Sequence, residues 1–162
     1  MTTVAAVIRP LAARDERAAR ALFTGAFGNT LYAAAPRFAL ARALAAESPI
    51  ESSGLVAEAD GGLVGVAVFG LVAGAEGAAK MHGMAVAPDA QRHGIARALV
   101  EAFVGELQRR GARFVVVEFP DAPELAGGRT LLQQAKFVEE SRVKDYFRDG
   151  IALVFLRRDL SR

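Results

Sequence analysis

The stretch from Ala79 to Phe119 constrains the fold more than any other part of the chain. Ala79–Val86 reads as a strand stopped by Pro88. Gly94–Arg110 then repeats apolar residues at helical spacing, with Ile95, Ala98, Leu99, Ala102, Phe103 and Leu107 on one face and Gly111 where a C-cap belongs. Arg113–Phe119 is a β-branched, nearly uninterrupted apolar run, which suits a central strand covered on both faces. Strand, amphipathic helix and buried strand in succession call for a sheet with helices packed against it.

The flanking segments extend this pattern. Val4–Arg9 reads as a first strand ended by Pro10. Arg14–Phe27 places Ala18, Ala21, Leu22 and Phe27 at helical spacing behind the acidic Asp15 and Glu16, and Gly28–Asn29 breaks it. A second helix starts at Pro36 and runs to about Glu47, followed by a loop over Ser48–Ser53. Gly54–Asp60 and Leu63–Ala73 are strands joined by the turn signal Asp60–Gly61–Gly62. Leu125–Ala135 is a weaker helix, and Phe137–Phe147 and Ile151–Leu156 are strands around a turn at Arg148–Gly150. The order β-α-α-β-β-β-α-β-α-β-β predicts one mixed α/β domain over residues 1–162, a central sheet of about seven strands flanked by about four helices.

Composition narrows the function classes. Cysteine is absent, which excludes disulfides, thiolate metal sites and a cysteine nucleophile. His82 and His93 do not form a zinc signature, so no metal is expected. A net charge of +2, with arginines spread along the chain, lacks the basic face and aromatic platforms of a nucleic-acid binder. The longest uncharged run, Leu63–Ala75, is too short and too glycine-rich to span a bilayer, and the N-terminus does not read as a secretory signal. A cytoplasmic domain without nucleic-acid or membrane partners is expected, and a homodimer is left open. Gly-x-x-x-x-Gly-Lys-Ser/Thr and a helix-opening Gly-x-Gly-x-x-Gly are both missing, which disfavours other nucleotide-binding folds.

Met84–Arg97 carries the chemistry. It is a strand end, a loop of small residues and the start of the long helix. A helix N-terminus offers free N–H groups and the positive end of the dipole, Gly94 and Ala96 let a phosphate approach, and Arg92 and Arg97 add positive charge. The string Gln91-Arg92-His93-Gly94-Ile95-Ala96 resembles motif A of the GNAT superfamily, Gln/Arg-x-x-Gly-x-Gly/Ala, and Met84-Ala85-Val86-Ala87-Pro88 is similar to the strand end that precedes it there. The element order agrees over nearly the whole chain.

The resemblance implies the GNAT fold and an acetyl-CoA site. Pyrophosphate would lie on the amides of Arg92–Ala96, within a cofactor-binding set of Gln91, Arg92, His93, Gly94, Ile95, Ala96 and Arg97. The pantetheine arm would pair with the backbone of Met84, Ala85 and Val86. Acetyl would pass directly to a primary amine of a small molecule or a peptide N-terminus. The alternative is a non-catalytic acyl-CoA-binding or sensing domain.

Direct transfer needs an acceptor for the amine proton and a donor for the leaving thiolate. Lys80, His82 and Met84 alternate along a strand and are expected on one face. A histidine ordinarily titrates near neutrality, and His82 is one candidate base. Glu118, at the end of an apolar run, is the other, and it matches a glutamate of the ribosomal-protein alanine acetyltransferases within Val117-Glu118-Phe119. In the helix before Phe137, Leu132 stands where the family has a tyrosine and Lys136 replaces a glycine. Leu125 holds the place of the asparagine that commonly opens that helix. Tyr146, in a string similar to the aromatic pair before the last strand of peptide-N-terminus acetyltransferases, is the remaining candidate acid; Tyr32 lies in the region that covers the acceptor side.

Overall fold

A computed structural model describes residues 5–28, 30–45, 47–91 and 94–160. Seven strands form one sheet in the order β1-β2-β3-β4-β5-β7-β6. They are β1 (Val7–Pro10), β2 (Ser53–Ala59), β3 (Gly62–Leu71), β4 (Ala78–Val86), β5 (Phe114–Pro120), β6 (Val138–Arg148) and β7 (Ile151–Asp159). The helices are α1 (Glu16–Phe27), α2 (Ala34–Ala45), α3 (Ile95–Arg109) and α4 (Ala126–Gln134). Every neighbouring pair of strands is antiparallel except β4 and β5. The architecture is the mixed α/β sandwich expected from the element order. Val4, Asn29 and Ala46, included in the expected elements or breaks, lie outside the described residues.

Each face of the sheet has its own core. Ala19 and Phe23 of α1 and Ala39 and Leu40 of α2 pack on Val56, Val66, Val68 and Ala85. On the opposite face Ile95, Leu99, Phe103 and Leu107 of α3 join Leu132 of α4 over Ala67, Phe69, Met81, Val115 and Val117. Burying these apolar side chains supplies the main driving force for folding. Two helix faces differ from expectation. α3 buries Val100 and Val104 while Ala98 is exposed, and α1 buries Ala19 and Phe23 while Ala18 and Ala21 face solvent. Alanine spacing is a weak guide because the larger side chains lose more water-exposed area and set the rotation. α2 begins at Ala34, two residues before Pro36, behind a 3₁₀ turn over Leu31–Ala33.

The entry to α1 is held by charge. Arg9 clamps both oxygens of the buried Asp15 at 2.8 Å and reaches Glu58 at 2.8 Å, while the Ala12 N–H donates to Asp15. The Arg9 hydrogen bonds hold the Asp15 carboxyl below the usual carboxylate range.

The segment 48–52 crosses close over β3. A Cβ on Gly70 would lie 1.9 Å from Glu51 O. Gly70→Ala must displace that backbone and should cost about 2 kcal/mol or more. Gly105→Ala adds a methyl on α3 in ordinary contact with Arg109 and should stabilise by about 0.5–1 kcal/mol. Denaturant melts of the two variants beside wild type check both signs.

Candidate functional site

β4 and β5 are parallel and pair only from Ala78 opposite Phe114 to Met81 opposite Val117. β4 continues to Val86 and β5 to Pro120. Beyond Met81 and Val117 the strands therefore part, and a fork opens in the middle of the sheet. On its other edge β4 stays paired to β3 as far as Val86, and β5 stays paired to β7 as far as Pro120.

The fork leaves one edge of β4 unpaired. The bond from Ala87 N–H to Val64 O, 2.8 Å, sets the phase: residues 83, 85 and 87 turn their backbone groups towards β3. Met84 and Val86 consequently turn theirs into the fork. The Val86 carbonyl there accepts a hydrogen bond from Gln91 Nε2 at 3.1 Å.

A bulge sits at the same point. Val68 faces Gly83 but Phe69 faces Met81, so His82 is an extra residue in β4. The bulge overturns the expected alternation. Met81 and Met84 both pack on the α3 side, whereas Lys80 lies on the opposite face between Ala79 and Met81. Lys80 and Met84 do not share a face.

At the apex the structure brings together Lys80, His82 and Glu118. Lys80 Nζ lies 2.9 Å from Glu118 Oε1, both side chains being partly open to solvent. Glu118 is thus not a carboxylate stranded in apolar surroundings, and its partner is a lysine. His82 Nε2 is 3.0 Å from Glu51 O. A carbonyl only accepts, so Nε2 carries the proton and neutral His82 keeps Nδ1 as an acceptor. Burial pushes the imidazole below its ordinary pKa, and the nearby cations Lys80 and Arg42 act in the same direction. The Glu51 carbonyl is steadied by its neighbourhood: Arg42 reaches the Glu51 carboxylate at 3.5 Å and the Ser52 hydroxyl donates to Ala39 O at 3.2 Å. The loop around Glu51 was not expected to take part, because nothing in its sequence marks a carbonyl aimed at a histidine.

At the far end of the free β4 edge the chain makes a 3₁₀ turn over Pro88–Ala90 and enters α3 through Gly94. Gly94 has φ 76° and ψ 5°, and apart from its own chain neighbours and helix backbone no described atom lies within 4 Å of where a Cβ would stand. The Ala98 N–H bonds to Gly94 O at 2.9 Å, so the N–H groups of Ile95, Ala96 and Arg97 have no partner within the helix. Ile95 anchors this turn in the core, while Arg97 is exposed. Arg92 and His93, also expected here, lie outside the described residues.

Tyr146 belongs to a separate aromatic cluster. Its ring, 58% exposed, meets Phe147 edge-on at 5.1 Å, and Phe147 meets the buried Tyr32 edge-on at 5.4 Å. Phe147 and Tyr32 pack with Phe27, Ala122, Leu125 and Ile151 beyond the C-terminal end of β5. A groove of about 280 Å³ lies between that end and α4, lined by Phe119, Asp121, Ala126 and Arg129 among others. Leu132 fills the core at 2% exposure and offers no polar group to the groove.

The Acetyltransferase (GNAT) family profile matches residues 17–125. No curated protein matches the sequence significantly. Among solved structures, a GNAT-family protein from Desulfovibrio desulfuricans superposes with TM-score 0.86 at 23% identity, covering 97% of this chain and all of that one. The ribosomal-protein-S18-alanine N-acetyltransferase of Escherichia coli gives 0.77 at 21% identity, covering 98% and 96%. A Salmonella typhimurium protein, yncA, solved with its cofactor acetyl-CoA, gives 0.77 at 19%, covering 98% and 95%.

His82 also links the site to stability. Its pKa is lowered on folding, so the unfolded chain binds more protons once pH falls into the window. Its contribution is complete above the unfolded value, about 6.5, and is lost as pH falls through that value towards the folded one. Gln keeps a donor for Glu51 O without titrating. Unfolding free energies between pH 7.5 and 5 should fall more steeply for wild type than for His82→Gln; parallel curves would remove the buried neutral imidazole.

Proposed function

The chain belongs to the GNAT acetyltransferase family, and from this we propose that it moves an acetyl group from acetyl-CoA to a primary amine by direct attack. The observation that carries this reading is the fork between β4 and β5, with an unpaired β4 edge that leads from its apex to the N-terminus of α3. These residues fit the ligand. The N–H groups of Ile95, Ala96 and Arg97, at the positive end of the helix dipole, suit a pyrophosphate, and Gly94 keeps the approach open. The proposed cofactor set also includes Gln91, Arg92 and His93. Met84 and Val86 offer backbone groups to the amides of a pantetheine arm, with Ala85 between them turned to β3. Acetyl-CoA supplies the activated acyl group as a thioester.

The protein's own part is to move protons. An amine arrives as an ammonium and must lose a proton before it attacks. Glu118, on the acceptor face at the apex, takes it; Lys80 gives way or shares the carboxylate. A second reading assigns this step to His82, because the neutral ring keeps an unprotonated Nδ1 in the bulge. Tyr146 is the phenol proposed for the leaving thiolate, and water can replace it. Tyr32, Phe147 and Tyr146 frame the end of β5 and suit the side chain of a small amine or of a peptide N-terminus.

Acetyl-CoA and CoA should raise Tm well above the effect of NAD or ATP at matched concentration; equal shifts would sink the proposal. Gly94→Glu puts a negative charge and a left-handed backbone strain at the pyrophosphate, and should weaken CoA binding at least about tenfold by calorimetry.

Once an acceptor is found by free-thiol detection, Glu118→Gln should lower turnover by about 10²-fold with CoA affinity nearly unchanged. If His82→Gln carries that loss instead, the base is His82. A protein that binds acetyl-CoA but acetylates nothing in a broad amine screen is the sensing domain.

A further inference from the structure

Lys80 places a primary amine at the apex of the fork. It is the last residue but one of β4 to pair with β5, and its ammonium touches Glu118, the first residue of β5 beyond the paired stretch. The anion-binding turn at Gly94 lies past the opposite end of the free β4 edge. From Val86 back to Lys80 is six residues, about 20 Å of strand. A ligand anchored at Gly94 and laid along Val86 and Met84 therefore points its far end at the apex. The apex already holds both groups that acetyl transfer needs, a nucleophilic nitrogen and a carboxylate in contact with it.

We propose that Lys80 is an internal acetyl acceptor, acetylated at Nζ by acetyl-CoA bound in the same chain; this rests on the transferase reading above. Glu118 takes one proton from the Lys80 ammonium across the 2.9 Å contact. The neutral Nζ attacks the thioester carbonyl carbon, the N–C bond forms and the C–S bond breaks. A second proton leaves the nitrogen as the amide forms. One of the two ends on the CoA thiolate and the other passes to solvent. The product carries no charge at Lys80, so the ion pair is lost and Glu118 is left open to the ammonium of an incoming acceptor. A cation that opposes protonation of His82 is removed at the same time.

The chain has three lysines, and Lys136 and Lys144 are both exposed, which provides an internal reference. Peptide mass spectrometry after limited labelling reads all three. With N-hydroxysuccinimidyl acetate, a donor without a CoA handle, Lys136 and Lys144 should react ahead of the ion-paired Lys80. With acetyl-CoA the order should reverse, Lys80 leading by at least about tenfold, and Glu118→Gln should remove that lead without changing the other two rates. The same order with both donors overturns the proposal, whether or not the variant folds. Melting curves on the same samples separate the causes. A clear acetyl-CoA shift with no reversal defeats the Lys80 acceptor alone, and no shift defeats the transferase reading with it.

Discussion

The candidate site depends on the brevity of one ladder, the four-residue parallel pairing of β4 with β5. Each strand is committed elsewhere. β4 follows β3 through Val86, and β5 follows β7 through Pro120. Gly83 lies under α1 and α2, so closely that a Cβ would stand 2.8 Å from Pro36 and 3.3 Å from Phe23. The bulge at His82 adds local twist just where pairing stops. With antiparallel partners on their outer edges and a helix pair pressed on one face, the two strands separate, and unpaired backbone becomes available to a ligand.

The same point in the sheet organises charge. Lys80, His82 and Glu118 come from two strands, and the carbonyl that orients His82 comes from the segment after α2. That segment sits close on Gly70, which has no Cβ to keep it away. Packing on one face of β3 thus decides the protonated nitrogen of a histidine in β4, and through it which nitrogen is free to accept a proton. Just beyond the C-terminal end of β5 four charges meet: Arg129 and Arg142 each contact both Asp121 and Glu139, at 2.7–3.2 Å. Being partly exposed, these pairs add little individually to stability; they link the end of β5, α4 and β6 around the groove.

Departures from the resembled family have physical readings in the fold. Lys136, where the family has glycine, has φ 72°, a left-handed conformation that costs a residue with a Cβ about 1 kcal/mol. The turn after α4 has therefore kept its shape with a less suited residue. Leu132, in the place of the usual tyrosine, is core. That helix position therefore offers no phenol.

Element order, the start of α3 at Gly94 and the strand over β5 were legible because each is local. Apolar periodicity, a helix-opening glycine and a β-branched run act within a few residues, and the chain carries them wherever it folds. The pairing of Lys80 with Glu118, the rotation of α1 and α3 about their axes, and the face of Met84 were not. The first depends on parallel register between strands far apart in sequence. The second depends on which side chains lose most surface when the helices meet the sheet. Met84 changed face because one inserted residue, His82, shifts the alternation of everything after it. The sequence by itself determined which elements form and where a loop of small residues opens α3. Only the tertiary structure decided where the sheet opens and which ionisable groups meet there, since both follow from pairings that no local pattern encodes.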